Sequence, residues 1–317
     1  MAGSLNKNEL LARMARDYYI KQKTIAELSN KYNMSRYLVT KSLKEATDSG
    51  LVTIEIHSPL VRNVQLEEQF QKTFGLDHPV ILKVADSPNE NAKNVIETAA
   101  KQLQRLIQKS HIVGLTWGGT IYDLIDQFQQ GISDNLTFTQ FLGENMKYNS
   151  AAGSTRMVER AAAKFNSTYQ TIPAPLYVVN DAARKALPNE PALTTSFASA
   201  KRMDLLISGL GTLSSIDSIP AWKQAKNLIF PGVVPNQIVG MLFGRPYDIN
   251  GNFLLPEKDT VLGISLPEIM AVPRRYGIVK SKFKTYSALG ALRGKMLTDL
   301  VMTESIAQKI LLANDET

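Results

Sequence analysis

From Val64 to the C-terminus, short apolar runs alternate with amphipathic stretches of helical length. Residues 80–84 and 112–116 are two of these runs, and residues 91–107 between them repeat apolar side chains at helical spacing. Because parallel strands need a crossover connection, which a helix supplies, this alternation predicts βαβ units. The expected fold is α/β, with a doubly wound parallel sheet whose further strands are predicted at residues 136–142, 176–179, 205–208 and 297–302.

The first sixty residues follow a different pattern, one of short helices. Residues 5–20 carry the apolar stripe of an amphipathic helix. Thr24 and Glu27 have the spacing of a capping box, which predicts the start of a second helix over residues 25–32. Two helices are therefore expected in succession at the N-terminus.

A third helix is predicted after a tight turn. Asn33 tolerates the left-handed conformation that such a turn needs, and Ser35 can cap a helix over residues 36–46. Residues 51–56 then alternate at a period of two, as a strand does. Helix, turn, helix and strand in this order indicate a winged helix-turn-helix head.

The third helix carries the side chains that would meet DNA. Four of its apolar residues are predicted to face inward, namely Leu38, Val39, Leu43 and Ala46. Its other face, with the cap of the second helix, presents groups that contact phosphates and base edges. The candidate DNA-binding residues are Thr24, Ser35, Arg36, Tyr37, Thr40, Lys41 and Lys44. Helix-turn-helix shapes also occur in proteins that never touch nucleic acid, so a head that binds another protein is an alternative.

Charge is unevenly distributed along the chain. Residues 1–60 hold nine Lys and Arg against six Asp and Glu, which leaves only +3, and a dimer would double the phosphate contacts. A sharper surplus lies over residues 269–298, with seven Lys and Arg and no Asp or Glu. Together with the net charge of +7, these surpluses favour an anionic partner for each end of the chain.

A glycine pair marks a candidate anion site. After the strand at residues 112–116, the chain continues with Trp117, Gly118, Gly119 and Thr120, which precede a helix predicted over residues 121–128. At the carboxyl end of a strand in an open α/β sheet, free amide groups and the helix dipole both favour an anion. A simple tight turn is the alternative interpretation of the same glycines.

Signals for catalysis are weak. Residues 204–214 contain half of a dinucleotide fingerprint, but Ser214 stands where the third glycine is needed. No G-x-S-x-G, H-E-x-x-H or Walker motif occurs, and His57, His78 and His111 are scattered. The lack of cysteine excludes a disulfide, a thiolate metal site and a cysteine nucleophile. No catalytic residue, metal or cofactor is therefore predicted.

Length and composition fit two soluble domains. At roughly 150 residues per domain, 317 residues suggest two domains, and 44% apolar residues suffice for each to bury a core. The N-terminus lacks the apolar segment of a secretion signal, and no apolar run reaches the ~20 residues of a membrane span. A cytoplasmic protein that does not enter a membrane is expected.

Six motifs are spread over nearly the whole chain. They are TIAEL at residues 24–28, MSR at 34–36, GLVTI at 50–54, VGLTWGGT at 113–120, YDINGN at 247–252 and GALRGK at 290–295. Together they resemble the SorC family of bacterial sugar-responsive transcription regulators. The resemblance implies a winged head joined to a domain folded like glucosamine-6-phosphate deaminase and ribose-5-phosphate isomerase. It also implies a dimer or tetramer that changes its DNA contacts when a phosphorylated sugar binds.

The resemblance also assigns effector-binding roles to single positions. Gly118, Gly119 and Thr120 would hold the phosphate, with Gly143 near the next strand end and Lys284 completing the site.

Departures from the family pattern bear on the identity of the effector. The family usually has an acidic residue where Met241 stands and a glycine pair where Lys280 and Ser281 stand, so these three positions are also candidate effector-binding residues. Losing a carboxylate and gaining an ammonium favour a more anionic ligand. A polycarboxylate such as citrate is therefore an alternative to a phosphorylated sugar, and a degenerate pocket without effector is a third. Leu142 replaces the Schiff-base lysine of related deoxyribonucleoside regulators, so no covalent aldehyde adduct is expected.

The combined prediction is a transcriptional regulator, not an enzyme. A winged helix-turn-helix domain is predicted at residues 1–57, a linker at 58–63, and an effector-binding and oligomerisation domain at 64–317. Its expected partners are double-stranded operator DNA of a carbohydrate or organic-acid catabolic operon, a small anionic effector and further copies of the chain. A sugar-phosphate isomerase or deaminase on the same fold is the alternative, but it would leave residues 5–56 without a role.

Overall fold

A computed structural model of the chain describes residues 7–54, 61–85, 87–133, 135–145, 153–254 and 258–316. The chain divides into two compact units, Met1–Pro59 and Leu60–Thr317. The predicted helix start at Leu5 and residues 58–60 of the predicted linker lie outside the described residues. The linker and the domain boundaries therefore stay predictions.

The helices and strands are labelled in chain order. The first unit contains α1 (Lys7–Ala15), a π-helical turn (Arg16–Ile20), α2 (Ile25–Tyr32) and α3 (Arg36–Asp48). The strands of the second unit are β1 (His78–Leu82), β2 (Ile112–Leu115), β3 (Thr137–Thr139), β4 (Thr168–Gln170), β5 (Leu205–Gly209), β6 (Gly240–Leu242), β7 (Arg245–Tyr247), β8 (Arg274–Ile278) and β9 (Asp299–Thr303). Its helices are α4 (Val64–Phe74), α5 (Pro88–Ile107), α6 (Gly119–Asp126), α7 (Ser154–Phe165), α8 (Asp181–Ala186), α9 (Pro191–Ala200), α10 (Leu213–Asp217), α11 (Pro220–Gln224), α12 (Lys226–Ile229), α13 (Leu266–Met270), α14 (Thr285–Arg293) and α15 (Glu304–Glu316). Short 3-10 turns lie at Leu187–Asn189, Pro235–Gln237 and Lys282–Lys284.

Local hydrogen bonds set the helix ends in the first unit. The Thr24 hydroxyl accepts from the Glu27 amide at 3.3 Å, and the Thr24 amide donates to the Glu27 carboxylate at 2.8 Å, which completes the capping box. Asn33 adopts a φ of 50°, and the Ser35 hydroxyl accepts from the Leu38 amide at 3.3 Å to cap α3. The predicted helix, turn and helix are confirmed.

A small apolar core joins the three helices of this unit. Its buried residues are Leu11, Met14, Ala15, Leu28, Val39, Leu43 and Ala46. The inward orientation predicted for Leu38 is wrong, because its side chain is 44% exposed. Leu38 lies about 100° around the helix from Val39, which places it at the margin of the inward face.

The strand predicted for the wing is not formed at residues 51–54. Residues 55 and 56 of that prediction lie outside the described residues. A strand needs a neighbouring strand to satisfy its amide and carbonyl groups, and the described part of this unit, residues 7–54, is otherwise helix and turn. Within the described residues 7–54, the alternating pattern has no partner strand to pair with.

A buried carboxylate ties the π-helical turn to α2. Asp17 is 2% exposed and accepts hydrogen bonds from the ammonium of Lys31 and from the Tyr32 hydroxyl, the latter at 2.9 Å. Lys21 adds an ion pair at 3.2 Å. The hydrogen bond from Lys31, followed by that from Tyr32, holds the pKa of Asp17 well below its ordinary value. The ionised form of Asp17 therefore stabilises this unit.

We expect Asp17→Asn to loosen the first unit at neutral pH, because Lys31 then loses its counter-charge. The folded-state pKa of Asp17 lies below its unfolded value, so its contribution is complete above about pH 4 and is lost as the pH falls further. Hydrogen exchange of the peptide that covers α2, measured by mass spectrometry across this pH range, should show a protection gap between wild type and variant that closes on acidification.

The matched control is Glu9→Gln. It removes an exposed carboxylate that pairs with Arg13 at 2.7 Å, an interaction that contributes little in water. This control should exchange like wild type, and a gap for the Asp17 variant that stays constant with pH would contradict the assigned role.

The second unit is built on a seven-stranded sheet. Its strand order is β1-β9-β8-β5-β2-β3-β4, and every pairing is parallel. Strands β6 and β7 form a separate antiparallel pair. The predicted α/β fold with a doubly wound parallel sheet is confirmed.

Helices cover both faces of this sheet. In β5, Leu206 packs into a cluster with α14 and α15, whereas its neighbours Leu205 and Ile207 pack into a cluster with α5, α6 and α7. In β9, Met302 and Val301 divide in the same way. Successive side chains of a strand point to opposite faces, so a strand buried on both faces is a continuous apolar run.

The strand predictions differ from the structure of the sheet in three places. Strand β4, at one edge of the sheet, is not among the predicted strands. Residues 176–179, predicted as a buried strand, form only an isolated bridge between Tyr177 and Val261. Strand β8 lies inside the sheet between β9 and β5, although no strand is predicted there. Its first residues are Arg274 and Arg275, whose charges mask the apolar pattern. The other predicted strands of the sheet are present, with ends shifted by up to three residues.

Candidate effector site and nucleic-acid interface

The strand order opens a crevice between β2 and β5. After β2 the sheet continues with β3 on one side, and after β5 it continues with β8 on the other side. Where the connections of two neighbouring strands leave in opposite directions, a crevice forms at their carboxyl ends, and ligands of open α/β sheets bind there.

A cavity of about 430 Å³ lies at this crevice. Its lining residues are Thr116, Trp117, Gly118, Gly119, Thr120, Tyr177, Ser208, Gly209, Leu210, Gly211, Ser214, Ser215, Ile216, Ser218, Ile219, Trp222, Met241, Phe243, Gly244 and Lys284. None of these described residues carries a carboxylate, and Lys284 is the one that carries a full charge. The cavity is therefore suited to an anion.

The segment after β2 presents the amino end of α6 to the cavity. Gly118 has a φ of 113° and a ψ of 169°, a conformation that residues with a side chain rarely adopt. Helix α6 begins at Gly119, and the first amide groups of a helix have no partner within it. Together with the helix dipole, the amides around Gly119 and Thr120 can hold an anionic group.

The segment after β5 forms another wall, with small and hydroxyl-bearing residues. Ser208 and Ser214 line the cavity, and the Gly211 amide donates to the Met241 carbonyl at 2.9 Å. A Cβ at Gly211 would lie 3.1 Å from Met241, so a larger residue would push this wall apart. The half fingerprint of residues 204–214 thus contributes to the cavity wall.

Lys284 supplies the positive charge of the cavity. Within the described part of the chain its ammonium has no hydrogen-bond or ion-pair partner, and it lies 5.8 Å from the centre of the Phe283 ring. Burial lowers the pKa of Lys284 below its ordinary value, because desolvation penalises the charged form. A bound anion would compensate for this lost solvation.

Aromatic side chains form the apolar part of the lining. Tyr177 and Trp222 meet edge to face with their ring centres 4.9 Å apart, and the Tyr177 hydroxyl donates to the Gly244 carbonyl at 2.7 Å. Trp117 and Phe243 also face the cavity. The chain has two tryptophans, Trp117 and Trp222, so their fluorescence reports on this cavity.

The seven predicted DNA-binding residues are all exposed on the first unit. Thr24, Arg36, Tyr37 and Thr40 line one groove of its surface. Arg36 and Lys41 have no ion pair in the described residues, so both charges are available to a phosphate. The seven predicted residues are therefore accessible to a ligand, and four of them share one groove.

A family model described as "Putative sugar-binding domain" matches residues 58–312, which is most of the chain. Among the relatives that the chain matches is the sorbitol operon regulator of Klebsiella pneumoniae, 24% identical over 95% of this chain and 97% of that protein. The chain belongs to the SorC family of bacterial sugar-binding transcriptional regulators. The transcriptional regulator LsrR of Escherichia coli (strain K12) is also 24% identical, over 96% of this chain and 95% of its own length.

Solved structures of bacterial transcriptional regulators share the fold. The full-length sorbitol operon regulator SorC from Klebsiella pneumoniae matches with a TM-score of 0.66 and 22% identity, over 96% of this chain and 99% of that one. A transcriptional regulator from Streptococcus pneumoniae TIGR4 matches with a TM-score of 0.69 and 18% identity, over 80% of this chain and 97% of that one. The likeness to the former extends over both units.

Three of the residues that the SorC resemblance assigns to the effector do not line the cavity. Gly143 is enclosed by backbone, since a Cβ there would lie 2.6 Å from two carbonyl oxygens. Lys280 forms an ion pair with Asp123 at 2.5 Å, and Ser281 caps the turn Lys282–Lys284. Gly118, Gly119, Thr120, Met241 and Lys284 are brought together in the lining.

The basic stretch at residues 269–298 does not form one surface in this SorC-family chain. Arg274 donates two hydrogen bonds to an aspartate at the start of β9, and Arg275 donates to four backbone carbonyls. Arg293 bonds to α15. Of the seven basic residues, only Lys284 is among the described residues that line the cavity. Most of these basic side chains form hydrogen bonds or ion pairs with groups that are distant in the sequence.

Most of the cavity wall was not identified from the SorC motifs. Tyr177, Trp222 and Phe243 lie on separate segments and carry no motif. The segment at residues 208–218 could have been found, because its glycine and serine residues follow a predicted strand in the same way as Gly118 and Gly119 do.

The described ranges contain no group of three or more His, Asp or Glu side chains that could hold a metal ion. His78 and His111 are exposed, and His57 lies outside the described residues. No helix in the described part of this SorC-family chain is long and apolar enough to cross a bilayer.

Proposed function

We propose that this protein is a transcriptional regulator that binds operator DNA through its first unit and a small anionic metabolite in the cavity of its second unit. The observation that carries the proposal is the cavity at the strand switch point. It combines the amino end of α6 with the ammonium of Lys284, which has no ion pair among the described residues, and its described lining has no carboxylate. These features attract an anion and add no repulsion to it.

A phosphorylated sugar is the first candidate effector. Its phosphate would accept hydrogen bonds from the amides at Gly119 and Thr120 and from Lys284, which is the role that the amino end of a helix performs for phosphate. Its hydroxyl groups would meet Ser208 and Ser214. The relative named as a sorbitol operon regulator supports a sugar-derived effector.

A polycarboxylate such as citrate is the second candidate. Sugar hydroxyls are donors that carboxylates accept well, and the described cavity lining offers none, with Met241 in one wall. The ammonium of Lys280, however, is paired with Asp123 and does not line the cavity. Because Lys284 is the one charged residue among the described lining, a ligand with a single strongly anionic group fits better than a trianion.

An isomerase or deaminase on this fold is not favoured. Such an enzyme needs a general base in the cavity, and no Asp, Glu or His is among its described lining residues. Tyr177 is no substitute, because burial raises its pKa further above neutrality. The first unit would also have no role in such an enzyme.

We further propose that the protein acts in the cytoplasm as a dimer or tetramer. One head has a net charge of only +3, so the pairing of two heads would double the phosphate contacts and fix the spacing of two half-sites. Analytical ultracentrifugation of the free protein tests this, and a monomer that binds operator DNA without self-association would contradict it.

The decisive experiment is a fluorescence-anisotropy titration of the protein on labelled DNA from upstream of its own transcription unit. The titration is repeated with a panel of sugar phosphates and with citrate. Salt-sensitive, specific binding that one of these ligands shifts would support the proposal and identify the effector class. No binding under any condition would contradict it and direct attention to an isomerase assay.

Lys41→Ala is expected to weaken DNA binding by about 1 kcal/mol and to reduce the salt dependence by about one ion, if Lys41 contacts a phosphate. Lys41 is exposed on the outer face of α3 and has no ion pair in the described residues. The same anisotropy assay at several salt concentrations measures both effects. Lys101→Ala, an exposed lysine of α5, is the control, and an unchanged slope and affinity would remove Lys41 from the interface.

A further inference from the structure

An ion pair connects two segments of the cavity wall without lining the cavity. Lys280 Nζ lies 2.5 Å from Asp123 Oδ2. Asp123 is on α6, about one turn after Thr120, and Lys280 lies between β8 and the cavity residue Lys284. The side chains of Asp123 and Lys280 are 48% and 30% exposed, so water screens the pair only in part.

The carboxylate of Asp123 opposes anion binding when it is unpaired. Side chains on a helix lean toward its amino end, which brings the charge of Asp123 toward the turn that begins at Gly119. That turn presents the positive end of the helix dipole to the cavity. Without a counter-charge, Asp123 would therefore weaken the attraction that the dipole and Lys284 exert on an anion.

We propose that Lys280 neutralises Asp123 and thereby sets the affinity of the cavity for doubly charged anions. The inference rests on the proposed function, since it assumes an anion in the cavity. Lys280 is not among the lining residues, so it does not contact the ligand. It acts on the ligand indirectly, by neutralising the charge of Asp123. With the pair intact, the field in the cavity is that of Lys284 and the dipole of α6.

A purely mechanical role of the pair leads to different results. If the pair only held Lys284 in place, removing either partner would weaken anion binding by a similar factor. If Lys280 neutralises Asp123, removing the two partners has opposite effects, and removing both restores the original affinity. A double-mutant cycle separates the two roles.

The experiment is a titration of the full-length protein with inorganic phosphate, followed by the fluorescence of Trp117 and Trp222. Near pH 8, where phosphate is mainly a dianion, Lys280→Met should weaken binding about fivefold, because Asp123 then repels the ligand through a partly solvated medium. Asp123→Asn should strengthen binding by a similar factor. The double variant should lie within about twofold of wild type, and concentrated salt should shrink all differences.

Lys280→Arg serves as the conservative control and should keep the affinity of wild type, because it retains the charge. Weaker phosphate binding in both single variants would overturn the inference and leave the anion site intact. A wild-type protein whose fluorescence does not respond to phosphate would remove the anion site itself, and both the proposed function and the inference would fall.

Discussion

Lys284→Met is expected to abolish the response of the protein to an anionic effector. The affinity should fall by about 100-fold, or close to 3 kcal/mol, because a charge-assisted contact in a half-buried site is lost. Lys284 is the one charged residue among the described lining, so no neighbour can replace it. Tryptophan fluorescence measures the affinity directly, and DNA anisotropy measures the ligand concentration that shifts operator binding.

The control for this prediction is Lys282→Met. Lys282 is an exposed lysine two residues earlier that does not line the cavity, so its loss should leave the affinity for the effector unchanged. Equal losses in both variants would indicate a general surface-charge effect. An unchanged affinity in Lys284→Met would show that the effector binds elsewhere.

Arg275→Met is expected to cost the second unit about 3 kcal/mol of its free energy of unfolding, since several carbonyl groups lose their donor. The Arg275 guanidinium donates to the carbonyls of Met270 and Val272 at 2.8 and 2.7 Å, and to those of Lys295 and Met296 at 3.1 and 3.0 Å. It thus joins the end of α13 to the turn before β9. Arg275 is partly buried, and this burial lowers its pKa because desolvation penalises the charged form.

Urea unfolding followed by tryptophan fluorescence measures this loss, because both tryptophans belong to the second unit. The midpoint should fall while the slope of the transition stays constant. Arg105→Ala removes an exposed arginine of α5 and should change the midpoint little. If the urea midpoint of Arg275→Met equalled that of Arg105→Ala, the role assigned to Arg275 would be contradicted.

The helices of the first unit could be predicted from the sequence because their signals are local. The capping box of Thr24 and Glu27, the left-handed Asn33 and the cap at Ser35 each act within three residues. The strand predicted after α3 is not formed over its described residues, 51–54, for the opposite reason. Its formation depends on a partner strand, which an alternating pattern alone does not supply.

The candidate site could be predicted only in part. Gly118, Gly119 and Thr120 were identified because they follow a strand and begin a helix. Strand β8 was missed, since Arg274 and Arg275 interrupt its apolar run. These arginines bind groups more than twenty residues away in the sequence or carbonyl groups of loops. No local sequence pattern predicts such partners.

The alternation of apolar runs and amphipathic stretches was sufficient to establish the α/β class, because burial on both faces of a sheet requires it. That pattern did not predict the position of the cavity or the partner of each charged side chain. Lys280 reaches Asp123 only because β8 lies beside β5, and β5 beside β2. Strand order is set by the packing of the whole sheet, so the tertiary structure selects which lysine faces an anion and which one neutralises a carboxylate.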